Sequence, residues 1–229
     1  MHKKIATLLA AAFILAGVAA AAPTATLRFI GRSTIVLTSA AGKVLYIDPF
    51  GEGDYSRKAD LVLVTHGHGD HNAVSLVALA PKAVVAGPAG SVELPSLKAV
   101  KEGDSFEVAG FKIKAVPAYN KNHPRAENVG YVVTFDGISV YHAGDTNYIP
   151  EMAALAALKL DYALFPTDDY WNMGGVEAGT CADAVKARFV AAIHSSPDAM
   201  YDAANAAKLA RPNVVALAPG ATIELKKAK

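Results

Sequence analysis

Cysteine is almost missing from this chain. Cys181 is the only one in 229 residues, which excludes an internal disulfide. It lies in a helical pattern and reads as a buried small hydrophobe, not as a reactive or metal-binding thiol. Tryptophan is equally scarce, with Trp171 alone. Charge is thin and balanced, 22 Lys and Arg against 21 Asp and Glu, for a net +1. Without a basic excess there is no electrostatic footprint for nucleic acid, so no nucleic-acid partner is expected. Beyond the N-terminus there is no repeat, no low-complexity stretch and no apolar run long enough to cross a membrane.

The N-terminus is the exception. His2-Lys3-Lys4 is a basic start, residues 5–18 form an apolar core, and Ala19-Ala20-Ala21-Ala22 supplies small residues for cleavage. This pattern reads as a secretory signal peptide over residues 1–22. The apolar run approaches the length of a span, so a retained anchor is the alternative. Cleavage is expected near Ala20 to Ala22, giving a secreted or periplasmic protein with no stable membrane anchor. Losing Lys3, Lys4 and no acid takes the charge from +1 to −1. The remaining residues, 23–229, suit one domain with a substantial core.

What the chain does have is histidine in one place. Thr65-His66-Gly67-His68-Gly69-Asp70-His71 carries three of the seven histidines and a carboxylate, directly after the apolar run Leu61-Val62-Leu63-Val64. Helical metal motifs place ligands at i and i+4. Here the spacing is i, i+2, i+4 and i+5, with two glycines between, which suits a tightly folded loop. Imidazoles and a carboxylate together are typical ligands for zinc and similar divalent ions. The bland alternative is a histidine-rich surface turn.

Around this loop the pattern is mixed. Strands are expected at 26–30, 33–38, 43–48, 61–65, 83–86, 105–108, 111–116, 129–135, 138–141, 162–165, 190–193, 214–218 and 223–226. Helices are expected at 150–158, 176–189 and 199–209, with a further helix capped by Asn72 and running to about Leu79. Asp136-Gly137 between two apolar runs is a strong hairpin signal. Two β-rich halves with helices outside suggest an α/β, four-layer αββα sandwich.

The residues His66, His68, Asp70 and His71 match His-x-His-x-Asp-His, and the chain thereby resembles the metallo-β-lactamase superfamily. Ala143-Gly144-Asp145-Thr146 and then His194, each after a strand, continue the likeness in the same order. Pro117-Ala118-Tyr119-Asn120, Tyr141 to Thr146 and Ile149-Pro150-Glu151-Met152 resemble the branch of ascorbate-6-phosphate lactonase and related metal-dependent hydrolases. The resemblance implies the sandwich fold. It assigns His66 and His68 to one metal, Asp70, His71 and His194 to a second, and Asp145 to both. The implied cofactor is one or two divalent ions, zinc first, with manganese or iron as alternatives. The third ligand of the first metal departs from the pattern. Where many relatives have histidine, this chain has Asn120, with His123 three residues on. His123 is the preferred ligand. An Asn120 oxygen or water are the alternatives.

Other residues have supporting readings. His142 reads as structural or as a partner behind the ligands, and Asp48 as an anchor for the histidine loop. Asp168 and Asn172, in the Pro166–Met173 stretch, read as hydrogen-bond partners of substrate or ligand histidines. Lys121 and Arg125 could hold an anionic substrate group. The expected function is hydrolysis of a small-molecule ester or lactone by a metal-bound hydroxide, with Asp70 orienting the nucleophile. A phosphodiesterase, or a metal-binding protein without significant turnover, are the alternatives.

Overall fold

The computed structural model describes residues 24–227; the expected secretory leader lies outside the described residues. Two sheets face each other. The first runs β1 (Thr26–Gly31), β2 (Thr34–Thr38), β3 (Val44–Ile47), β4 (Ala59–Leu63), β5 (Leu79–Gly87) and β6 (Lys98–Ala99). The second holds β7 (Ser105–Val108), β8 (Phe111–Pro117), β9 (Val129–Phe135), β10 (Ile138–His142), β11 (Tyr162–Pro166) and β12 (Phe189–Ile193). β13 (Thr222–Glu224) returns to pair antiparallel with β1, so the sheets have seven and six strands.

Local chemistry explains the hairpins. Ala109-Gly110 and Asp136-Gly137 both have two successive positive φ values, 52° and 87°, then 51° and 73°. That is the backbone of the primed turns whose twist suits antiparallel strands. β3, β4 and β5 are instead parallel, as are β10, β11 and β12. Parallel pairing requires crossovers, and these bury the strands on both faces. β3 is accordingly buried along its whole length.

Alternate residues of the two sheets meet between them. Phe29, Ile35, Leu45 and Leu63 pack with Phe111, Tyr131, Val140 and Ile193 in one continuous core. The outer face of the second sheet is covered by the 3-10 helix Pro150–Leu158 and by α1 (Gly175–Val185), through Met152, Leu155, Ala178, Cys181 and Val185. Cys181 is fully buried there, as expected. On the outer face of the first sheet, Val36, Tyr46 and Val62 are covered by Tyr55, Val74, Leu94 and Leu97. The α/β sandwich is therefore as expected, with thin outer layers.

Several expected elements differ. The helix from Asn72 is only a 3-10 turn, Val74–Leu76. Asn72 does not cap it; its side chain donates to the carbonyls of Gly67 and Ser91 at 3.1 and 3.0 Å. From Leu79 the chain is drawn into parallel pairing with β4, so β5 starts earlier than expected. The 150–158 segment is 3-10 rather than α. α1 stops at Val185 because Lys186 adopts a left-handed φ of 56°. The helix expected over 199–209 shrinks to α2 (Ala203–Ala207), capped by Asp202, whose carboxylate accepts from the Ala204 and Asn205 amides. No strand forms over 214–218; Val214 makes a single bridge to Val190.

Candidate metal centre

Six loops meet at the site, each leaving the carboxyl end of a strand. β4 leads to the histidine loop, β8 to Asn120 and His123, β10 to Asp145, and β12 to His194. β3 leads to Asp48 and β11 to Asp168. Such positions are held by a rigid sheet yet open to solvent.

The ligand-type atoms gather in three overlapping groups, each within 4.8 Å: His66, His68 and His123; His66, His71 and Asp145; Asp70, His71 and His194. Asp145 lies between the outer two. Its Oδ2 is 3.4 Å from Nε2 of His123, 3.4 Å from Nε2 of His194 and 3.5 Å from Nε2 of His71. Among the described residues, buried Nε2 of His66, buried Nε2 of His71 and Oδ1 of Asp145 have no hydrogen-bond partner. Each such buried orphan costs about 1–3 kcal/mol. Unpaired donor atoms of a type that bind divalent ions, clustered this closely, fit a metal.

Behind them stands a ring of orienting partners. Asp48 accepts from the Thr65 amide at 2.7 Å, the Thr65 hydroxyl at 2.7 Å and His71 Nδ1 at 2.9 Å. His66 Nδ1 meets the Thr65 hydroxyl at 3.0 Å. His123 Nδ1 lies 2.9 Å from Asn120 Oδ1, and His194 Nδ1 lies 3.0 Å from Asp168 Oδ2. Three imidazoles thus have Nδ1 held from behind, and His194 Nδ1 faces the Asp168 carboxylate, leaving Nε2 for a cation, the usual arrangement around metal-binding histidine.

The electrostatics divide the site. Burial, aided by neighbouring His71, holds the His66 pKa well below its ordinary value. Burial also lowers His123 to about 4. Both are neutral and ready to donate. Burial likewise opposes charge on His194, but Asp145, Asp168 and Asp70 outweigh it and raise its pKa to about 9. His71 is raised too, because Asp145 and Asp48 overcome its burial. Burial works against the charge of Asp70, yet His194, His71 and Arg32 keep its carboxyl far below the usual range. Asp145 is held low against burial by His194 and His71.

Known proteins give this geometry its context. The sequence profile of the β-lactamase superfamily domain matches residues 26–194. The chain belongs to the metallo-β-lactamase superfamily. A UPF0173 metal-dependent hydrolase of Thermus thermophilus is 32% identical over 225 residues, which cover 86% of this chain and 98% of that one. A crystal structure of a protein from Parabacteroides distasonis, assigned as a metal-dependent hydrolase, is 33% identical, with a TM-score of 0.70 over 76% of this chain and 84% of that one. The metallo hydrolase Igni18 of Ignicoccus hospitalis, 23% identical, shares the fold, with a TM-score of 0.71 over 90% of this chain and 100% of that one. The chain is a metal-dependent hydrolase of this superfamily.

The structure gathers His66, His68, Asp70, His71, His123, Asp145 and His194 in one place. Asn120 is not free to act as a ligand. Its Oδ1 accepts from the amides of Asn122 and His123 and meets His123 Nδ1, while its Nδ2 donates to Trp171 O and Asn172 Oδ1. Asn172 in turn donates to Asp145 Oδ2 at 2.9 Å and Asp168 Oδ2 at 2.8 Å. His142 faces away from the ligand cluster, with Nε2 2.9 Å from the Ser33 carbonyl and Nδ1 accepting from the Gly144 amide. Arg125 stands as a correction. Its guanidinium is held by Glu102 at 2.7 Å and Glu151 at 2.6 Å, over the Tyr119 ring, and does not line the cavity at the ligands. Two residues escaped the sequence reading. Asn128 is buried and donates to the Asp145 carbonyl. Arg32 grips Asp70 and looked only like a turn residue, because its partners lie far along the chain.

Proposed function

We propose that this metal-dependent hydrolase cleaves a small ester or lactone, with two metals held by the residues above, and that it is exported. The supporting observation is the cavity over the ligand set. It encloses about 430 Å³, and its walls include Trp171, Pro197 and Asp198 beside His68, His123 and His194. That volume suits a small molecule. Arg32 is the one arginine or lysine in its lining, and its donors are engaged by Asp70 and by backbone carbonyls. Arg125 is neutralised by Glu102 and Glu151, and Lys121 lines the neighbouring cavity with Asn120 and Trp171, which offers one cation for a single anionic group and none for a polyanion. A small ester or lactone with an uncharged scissile carbonyl is the substrate this wall supports, and Lys121 is the side chain that would meet an anionic group carried elsewhere on it.

His66, His68 and His123 would hold one metal and Asp70, His71 and His194 the other, with Asp145 serving both. A divalent metal supplies Lewis acidity to the attacked group and lowers the pKa of a water. Asp70, kept ionised, accepts hydrogen bonds and so can orient that water without protonating it. Trp171 and Pro197 narrow the approach. Cys181, buried on the far face of the second sheet, takes no part.

The test compares initial rates on lactones, phosphodiesters, β-lactams and single-stranded nucleic acid with metal supplied. The lactone or ester rate should be highest; a higher phosphodiester rate would overturn the substrate assignment. Export rests on the leader pattern alone. Mass analysis of protein from a periplasmic extract should find a new N-terminus near Ala20 to Ala22, and an intact Met1 would contradict it.

A further inference from the structure

Arg32 sits in the turn between β1 and β2 with a left-handed φ of 53°, beside Gly31 at 145°. A non-glycine residue there carries strain, so other contacts must hold it. They do. Its amide donates to the Met200 carbonyl and its carbonyl accepts from the His194 amide, both at 2.6 Å. Gly31 has a backbone that L side chains rarely adopt, and a Cβ on it would press on Met200, 3.3 Å from its carbonyl oxygen. The side chain is buried and all of its N–H groups are directed. Nε and Nη2 donate to Asp70 Oδ2 at 2.9 and 2.6 Å. Nη1 donates to the carbonyls of Ser196 and Ala199, and Nη2 also to Pro197.

One residue therefore fixes two candidate ligands of the same metal. Its backbone sets His194, and its guanidinium occupies a single oxygen of Asp70. Oδ1 then lies 3.7 Å from His71 Nε2, and Oδ2 itself lies 3.5 Å from His194 Nε2. A planar fork with fixed donors holds a carboxylate in one orientation, which a lysine ammonium, a point charge, does not. The same fork ties the histidine loop to the 196–199 loop that forms the cavity wall.

We propose that Arg32 is the positioning residue of the second metal site. It fixes the orientation of the Asp70 carboxylate between His71 and His194 and holds Asp70 and His194 in register. The proposal rests on the two-metal reading of the centre. Outer partners of metal ligands typically control affinity by about 10–100-fold. Among the described residues no hydrogen bond or ion pair joins the Arg32 side chain to His66, His68 or His123, so the first site should be indifferent to it.

The experiment titrates the metal-free protein with zinc chloride against a chromophoric chelator, for wild type, Arg32→Lys and Arg32→Gln, with circular dichroism to establish folding. Wild type should show two sites. In both variants the first should keep its affinity, and the weaker-bound second ion should lose about 10–100-fold. Arg32→Lys keeps the charge but not the fork and should recover little. Cobalt(II) absorption should report altered ligand geometry at one of the two sites in each variant. Unchanged affinity at both sites in a folded variant would overturn the proposal, and so would equal loss at both. If Arg32→Gln does not fold, Arg32→Lys decides alone by the same criteria. A wild type that binds fewer than two zinc ions would instead contradict the two-metal reading.

Discussion

Asp48 shows how one residue governs the site from behind. Its carboxylate is fully buried and joins the Thr65 amide, the Thr65 hydroxyl and His71. Its place at the end of an apolar strand made this role readable in the sequence. The ligands were readable for the same reason, since His66 to His71 are close in the chain and each distant ligand lies in the loop that follows its own strand. Arg32 and Arg125 were not. Whether an arginine is free depends on carboxylates brought from elsewhere: Asp70 for one, Glu102 and Glu151 for the other. The residue-scale prediction separates a ligand from its support. His123→Ala should remove a donor and abolish tight binding at the first site. Asn120→Ala should leave the donor but release its ring, costing about 10–100-fold in affinity. Zinc titration of the two variants checks this, and equal occupancy in wild type and His123→Ala would contradict the assignment of His123.

At the scale of elements, sequence reading succeeded where local chemistry decides and failed where pairing does. Asp136-Gly137 needs only its own backbone preferences to form a hairpin. The segment after Asn72 has a helical pattern, but the Asn72 side chain is drawn to the Gly67 and Ser91 carbonyls and the Ala73 amide to the Pro49 carbonyl, so only a 3-10 turn forms before Leu79 meets β4. The strand expected over 214–218 lacks such a partner beyond one bridge. The element that sets Asp145 is the turn after β10. Gly144 has φ of 65°, and a Cβ there would meet the Val129 carbonyl at 2.9 Å. Gly144→Ala should therefore cost about 1–3 kcal/mol of stability from the left-handed backbone, with further loss from the contact. It should also weaken metal binding by moving Asp145. Denaturant melts and zinc titration of this variant measure both effects; wild-type values would show that the turn tolerates a side chain.

For the whole molecule, the division between neutral and proton-holding histidines has a consequence in pH. His66 and His123 lie below their ordinary pKa, so they need lose no proton to bind metal near neutrality. His194 is raised to about 9, and His71 is raised as well. In the metal-free protein a raised folded pKa stabilises below the unfolded value near 6.5, and that stability is lost as pH rises through about 9. Metal binding runs the other way, because it must displace the proton. Second-site zinc affinity should rise by about tenfold or more per pH unit from 7 to 8.5, and first-site affinity by far less. Titrations at the two pH values check this; parallel shifts at both sites would contradict the division.

The central claim is that two metals sit in this one cavity, on opposite sides of Asp145. Anomalous diffraction at the zinc edge, on crystals of the zinc-loaded protein, tests it most directly. The account predicts two peaks about 3.5–4 Å apart, one among His66, His68 and His123 and the other among Asp70, His71 and His194. A single peak, or peaks away from these side chains, would contradict it.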